Sequence, residues 1–253
     1  MPNSMLSSRI SQIKKIAMKI ALCLLTRNER PSVEIVFPKI PAPGAGVGFD
    51  EIVVVDGNST DGTPEYFRER GVTVLSQTRK GRGDAYLLAF EKINADAYLF
   101  FSPDGNEDAA DLSKFRMLLE NGADLVIASR MMKDAVNEED HKLLRWRKWA
   151  NLTFNFFANA FFRKRKPYIT DSINGYRAIT KNAVKKLALD AQFYTIEFQM
   201  TMRAMAAGMN IVEFPTIEGT RVAGATGAPS IPTGIAFIKC FFHELKRHWF
   251  CQK

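Results

Sequence analysis

Histidine is scarce in this chain of 253 residues: there are three, His141, His243 and His248, and all lie outside the segments where strand-length apolar runs end. A histidine general base or a histidine-rich metal cluster is therefore not indicated. Cysteine is equally sparse. Cys23, Cys240 and Cys251 have neither paired spacing nor an even count, which argues against a disulfide framework or a thiolate zinc site and points to a reducing, cytoplasmic setting. No uninterrupted apolar stretch reaches the roughly 18 residues that a spanning helix requires. Residues 1–25 are basic and then briefly apolar, but they carry no small-residue cleavage site and run directly into Arg27, Asn28, Glu29 and Arg30. They read as a mobile or helical leader (1–17) and a first buried strand, not as a secretory signal. Acidic residues are also outnumbered, 27 Asp and Glu against 35 Lys and Arg, for a formal net charge of +8. Such a balance favours an anionic partner, whether nucleic acid, acidic lipid or a phosphorylated small molecule.

What the chain does have is apolar content, 46% of its residues, enough for one large α/β domain. Runs of strand length recur with helix-length segments between them: IALCLLT, EIVVVD, VTVLSQ, AYLFFS and DLVIAS. Continuous apolar runs alternating with helices predict a mostly parallel sheet covered on both faces. Such sheets bind ligands at the carboxyl ends of their strands, where Arg27-Asn28-Glu29, Asp56-Gly57-Asn58 and Ser102-Pro103-Asp104 would share one rim. After Arg130 the alternation stops. Residues 141–168 mix aromatics with cations and contain no acidic side chain, and residues 231–253 read as an amphipathic helix appended to a domain spanning 18–230.

Three segments can carry chemistry. EIVVVDGNSTDGT puts Asp56 at a strand end before a glycine turn, where it can meet a nucleobase or ribose; equally, Gly57 can serve only a turn and Asp61 only a helix cap. TRKGRGDAYLLAF sets Arg79, Lys80 and Arg82 among glycines ahead of a helix, which suits a polyanion but also suits a solvated loop. AYLFFSPDGNEDAADL drives an apolar strand into Asp104, Gly105, Asn106, Glu107 and Asp108. A carboxylate there can hold Mg²⁺ or Mn²⁺ with few protein ligands, or simply begin an acidic helix.

Taken in order, these segments, with LTRNER, LVIASR, TDSINGYRAIT, IEFQMTMRA and EGTRVAG, resemble the family 2 glycosyltransferases of the GT-A fold over roughly residues 18–227. The likeness is to enzymes such as dolichyl-phosphate mannose synthase and other polyprenyl-phosphate hexose synthases. The resemblance implies that Asn28, Glu29 and Asp56 bind the nucleoside and that Arg79, Lys80 and Gly81 lie near the donor phosphates. It makes Asp104 the last Asp of the family's DxD metal motif, with Asn106 a further ligand, and it sets Arg130 and Arg221 at phosphate groups. Asp171, Gly175 and Arg177 match the acceptor side, and Glu197 lies in the (F/Y)xxE(F/L) stretch. Three positions depart from the pattern: Ser102 stands for the first Asp of DxD, Gly57 for the second Asp of VDDGS, and Gly227 where relatives often have Lys.

The activity so implied is inverting transfer of a hexose from a UDP- or GDP-linked donor. A lipid-phosphate acceptor, already anionic, needs no base; a glycan hydroxyl would, and Glu197 or Asp171 would then be the candidates, unless Glu197 merely pairs with Arg203 and Asp171 caps a turn. A sugar nucleotidyltransferase is disfavoured because LTRNER follows the first strand where its glycine-rich signature belongs. A non-catalytic membrane or RNA binder is the rival of another class, but the cations form blocks such as Arg163 to Lys166 and no RNA-binding signature is present, so nucleic acid is not expected. In the tail, Ile235, Ile238, Phe242, Leu245 and Trp249 fall on one helical stripe. With the aromatics of 141–168, that stripe predicts peripheral attachment to the cytoplasmic face of an anionic membrane, or a homodimer or membrane-protein partner.

Overall fold

The computed structural model describes residues 18–140, 145–223 and 230–250. The expected leader over 1–17, His141, Gly227 and Cys251 lie outside the described residues. Strands β1 (Ile20–Thr26), β2 (Glu51–Asp56), β3 (Thr73–Ser76), β4 (Ala97–Phe101) and β5 (Leu125–Ser129) coincide with the five apolar runs. Two more strands follow where no alternation was expected, β6 (Arg177–Thr180) and β7 (Ile211–Pro215). The sheet order is β3-β2-β1-β4-β6-β5-β7. β6 alone runs antiparallel, wedged between β4 and β5, while the remaining pairs are parallel.

Burial on both faces explains the unbroken apolar runs. Successive side chains of a strand point to opposite faces, and β1 divides accordingly. Ala21, Cys23 and Leu25 join one core with helices α3 (Arg82–Lys92), α5 (Trp146–Phe162), α6 (Lys181–Leu187), α7 (Ile196–Ala206) and α8 (Ser230–Phe250). Ile20, Leu22 and Leu24 join the other with α1 (Arg30–Val36), α2 (Thr63–Arg68) and α4 (Leu112–Glu120). The result is a three-layer α/β sandwich. All seven residues of β1 are buried, so most of its side chains serve the core while its carboxyl end, Leu25 and Thr26, reaches the site.

Helix α8 has two faces. Phe237, Phe241 and Leu245 pack inward against the core shared with α5 and α7, so Leu245 does not belong to the outer stripe, where the sequence put it. Ile235, Ile238, Phe242 and Trp249 remain exposed, as do Trp146, Trp149, Phe156, Phe157 and Phe161 of α5. The rings of Phe157 and Phe161 lie 6.0 and 5.7 Å from Phe241, which in turn lies 5.5 Å from Phe242, so the two helices share one aromatic surface. Among the described residues no helix is long and apolar enough to cross a membrane.

Candidate active site

The carboxyl ends of the strands open into a cleft of about 810 Å³. On its floor the loops after β1 and β2 are stapled together. Asn28, in the left-handed region at φ 54°, accepts the Thr60 N–H at 2.8 Å and donates its own backbone N–H to Ser59 Oγ at 2.8 Å. Asp56 accepts from Thr26 Oγ1 at 2.9 Å, from the Ser59 N–H at 2.8 Å and from Ser59 Oγ at 2.6 Å. Its carboxylate is thereby spent on the turn, and Asp56 does not line the cleft, whereas Asn28, Glu29 and Gly57 do.

Helix α3 enters the cleft by its N-terminus. Gly81 (φ 130°) makes this possible, since a Cβ there would meet the Gln192 carbonyl oxygen at 2.2 Å. Lys80, Gly81 and Arg82 line the cleft, while Arg79 turns out to solvent and pairs with Asp84 at 3.1 Å. Arg82 pairs with Glu197 at the start of α7. The alternative Glu197–Arg203 pair does not form: Arg203 instead meets Glu244 at 2.6 Å and Asp190 at 2.7 Å.

Beyond β4 the chain turns at Gly105 (φ 95°), and the segment carrying Arg221 is laid onto that turn: the Val222 N–H donates to the Asp104 carbonyl at 2.9 Å. Arg221 bridges two carboxylates, Nη1 to Asp104 Oδ2 at 2.6 Å and Nη2 to Glu29 Oε1 at 2.8 Å. Burial outweighs this pairing and pushes both carboxyls above their ordinary values. Glu107, also in the cleft, is pushed up to about 8, first by burial and then by Asp104. Asn106 Oδ1 is buried with no hydrogen-bond partner, an acceptor that lacks a donor or cation.

On the far side Arg130 is clamped. Nε and Nη2 meet Asp171 at 2.8 and 3.1 Å, and Nη1 meets Glu218 at 3.0 Å. Asp171 is fully buried. Burial would raise its carboxyl, but Arg130 and the Asn151 amide hold it below the ordinary value. It stays ionised and outside the cleft lining, which suits an anchor for Arg130 better than a base. Arg177 is fully buried as well, donating to the carbonyls of Asn174 (2.6 Å), Glu197 (2.9 Å) and Ser172 (3.2 Å) and to Thr201 Oγ1 (3.0 Å). It braces the loop that carries Gly175 and does not line the cleft. Arg82, read from the sequence as one of three cations suited to a polyanion, lines the cleft, and so do Glu107, Glu218 and Gln77, which the sequence did not mark as site residues. Glu107 lies in the acidic segment after β4, Glu218 opens EGTRVAG and Gln77 ends the VTVLSQ run, but nothing local singles them out.

The three-layer α/β sandwich with a cleft at its strand ends is of the GT-A type. Solved structures agree on that fold: glucosyl-3-phosphoglycerate synthase from Mycobacterium tuberculosis, in complex with Mn²⁺, uridine diphosphate and phosphoglyceric acid, aligns with a TM-score of 0.69 at 20% identity, covering 91% of this chain and 78% of that one. Residues 26–187 match the model of glycosyl transferase family 2, and the chain belongs to that family. Among its relatives, glycosyltransferase AglJ of Haloferax volcanii is 28% identical over 232 residues, 87% of this chain and 71% of that protein. Dolichol-phosphate mannosyltransferase of Pyrococcus furiosus is 27% identical over 216 residues, 82% of this chain and 58% of its own length. Undecaprenyl-phosphate mannosyltransferase of Micrococcus luteus is 27% identical over 244 residues, 92% and 96% of the two chains.

Proposed function

We propose that this glycosyltransferase moves a hexose from a UDP- or GDP-linked donor to a polyprenyl phosphate at a membrane surface, with inversion and with Mg²⁺ or Mn²⁺. The observation that carries the reading is the convergence of Lys80, Arg82 and Arg221 with Asp104 and Asn106 in one cleft at the strand ends. The names of the mannosyltransferase relatives support the lipid-phosphate acceptor, and the Mn²⁺ complexes of the structural relative support a metal. The residues present fit a divalent ion, because Asp104 supplies a carboxylate and the buried Asn106 Oδ1 lacks a partner. No group of three or more His, Cys, Asp or Glu among the described residues forms a self-sufficient metal site, so donor phosphate oxygens would complete the shell. When bound, the ion neutralises charge on the departing diphosphate.

The chain's own part is to place and to neutralise. Asn28 and Glu29 border the nucleoside end, with Asp56 behind them holding their loop in shape. Lys80, the Gly81 turn and Arg82 meet the diphosphate, while Arg79 adds charge from outside. Arg221 leaves its carboxylates for phosphate oxygens that appear only when donor binds. Arg130, presented by Asp171 and Glu218, holds the acceptor phosphate in line with the anomeric carbon. The phosphate attacks as an anion, so no proton need be removed. Glu197 is consistent with that, being committed to Arg82. Were the acceptor a hydroxyl, Glu197 would have to leave Arg82 to act as base.

The aromatic surface of α5 and α8 serves as the membrane contact. Exposed Trp146, Trp149, Phe156, Phe242 and Trp249 supply interfacial rings, and exposed Arg163, Lys164, Arg165 and Lys166 supply charge for acidic lipid. Thr233 and Phe237 of α8 also line the cleft, so one helix connects the bilayer face to the site. Co-sedimentation with vesicles tests this. Binding that rises with acidic lipid is expected, and recovery in the supernatant at every composition would favour a soluble acceptor.

A further inference from the structure

Position 102 is the first residue beyond β4 and lines the cleft, yet it is a serine, whose neutral hydroxyl brings no negative charge to a hard cation. The turn that follows changes what stands there. Gly105, in the left-handed region at φ 95°, folds the chain back, and Glu107 Oε2 accepts the Ser102 backbone N–H at 2.7 Å. A carboxylate from five residues downstream thus sits at the strand end beside the residue that lacks one. Glu107 lines the cleft with Asp104 and Asn106, and the charged groups acting on it are Asp104, Arg82 and Arg130.

Charge around Asp104 makes the second carboxylate matter. Asp104 Oδ2 is held by Arg221 at 2.6 Å and Oδ1 accepts the Asn106 N–H at 3.2 Å, so Asp104 alone offers a divalent ion one committed carboxylate. Asn106 Oδ1 is buried beside it without a partner. An ion with one carboxylate and one amide oxygen from the protein would be held weakly; a second carboxylate from the same turn raises both ligand count and charge.

We propose that Glu107 supplies the strand-end carboxylate that Ser102 does not, so that Asp104, Asn106 and Glu107 together form the protein's share of the donor-site cation shell. The assignment rests on the metal-assisted reading above and extends it to a residue outside the expected motif. A purely structural Glu107 would only tie down the Ser102 N–H, a task that glutamine performs equally well through its amide oxygen. That difference gives the test.

Mn²⁺ binding to the full chain is measured by electron paramagnetic resonance at saturating UDP and, in parallel, GDP, for the wild type, Asp104→Asn, Glu107→Gln and the double variant Ser102→Asp/Glu107→Gln, with thermal midpoints recorded without metal. Glu107→Gln is expected to keep the wild-type midpoint and to weaken Mn²⁺ at least tenfold, and Ser102→Asp in that background is expected to recover most of the loss. Wild-type affinity in Glu107→Gln, or a double variant no tighter than Glu107→Gln, would overturn the assignment, and with binding lost in Asp104→Asn it would leave the metal reading standing. No Mn²⁺ bound by the wild type with either nucleotide would overturn both.

Discussion

Arg221 and Arg130 line the same cleft and each bridges two acidic side chains, but the two are held in different ways. Arg221 spreads single contacts over Asp104 and Glu29, reached from a segment laid across a glycine turn. Arg130 makes a two-pronged contact with Asp171, whose side chain has no exposure at all, and a third bond to Glu218. Burial raises the carboxyls of Asp104 and Glu29, which can answer the loss of Arg221 by taking up a proton, whereas Asp171 is held ionised and is strongly destabilising when stripped of its partner. The Arg221 side is therefore built to rearrange and the Arg130 side to stay put.

Removing each arginine should break that symmetry most visibly. Arg130→Ala strands ionised Asp171 and is expected to cost about 3–5 kcal/mol of stability in urea unfolding, besides lowering turnover. Arg221→Ala leaves buried Asp104 without its cation, but carboxyls that burial already raises can take up a proton instead, so it should cost less, about 1–3 kcal/mol of stability, while transfer slows by the equivalent of roughly 2–4 kcal/mol, as when a donor to transition-state charge is lost. Equal destabilisation by the two substitutions would mean that the sides of the cleft do not differ. Read from sequence alone, both residues are simply phosphate ligands, and nothing separates them.

The same contrast between a committed and an open face runs along α8. Phe241, buried beneath the rings of Phe157, Phe161 and Phe162, should cost roughly 3–5 kcal/mol on truncation to alanine. Its neighbour Phe242, 62% exposed, should change stability by no more than about 0.5 kcal/mol yet reduce sedimentation with acidic vesicles. If Phe242→Ala bound vesicles like the wild type, the outer face would have another use.

A smaller effect sharpens the picture of the far side. Glu213 accepts the N–H groups of Thr170 and Asp171 at 2.7 and 2.9 Å, and burial pushes its carboxyl up from 4.5 to about 7. Between those values the folded chain keeps a proton that the unfolded chain has released, so this group's contribution to stability falls as pH rises through the window, by about 3 kcal/mol in all. Glu213→Gln should flatten that part of the profile in urea titrations from pH 4 to 8. An unchanged slope would show that Glu213 is ionised throughout.

How far the sequence reveals the molecule depends on the range of the interaction. β1 and β2 match their apolar runs residue for residue, because burial on both faces writes a parallel strand as an unbroken hydrophobic word. β6 and β7 escaped notice. They carry Arg177 and Glu213 in place of an unbroken apolar run, and β6 gains its place by inserting between β4 and β5, which no local pattern announces. In the site, Asn28, Glu29 and Asp104 could be placed at the cleft because they follow strands directly. Asp56, though equally a strand-end residue, turns inward to two hydrogen bonds from Ser59 in the loop that follows it and one from Thr26 at the end of β1. The pairings that distinguish the two arginines span 41 residues for Arg130–Asp171 and 117 for Arg221–Asp104, and only the fold brings them together.

The most direct test of the account is transfer of radiolabelled hexose from UDP- and GDP-sugars to polyprenyl phosphate in vesicles, with Mn²⁺ or excess chelator, by the wild type and Asp104→Asn. Organic-extractable label is expected from the wild type with metal, and none with chelator or with Asp104→Asn despite an unchanged fold. Undiminished transfer in chelator would contradict the metal's part, and label reaching only soluble acceptors would contradict the lipid phosphate.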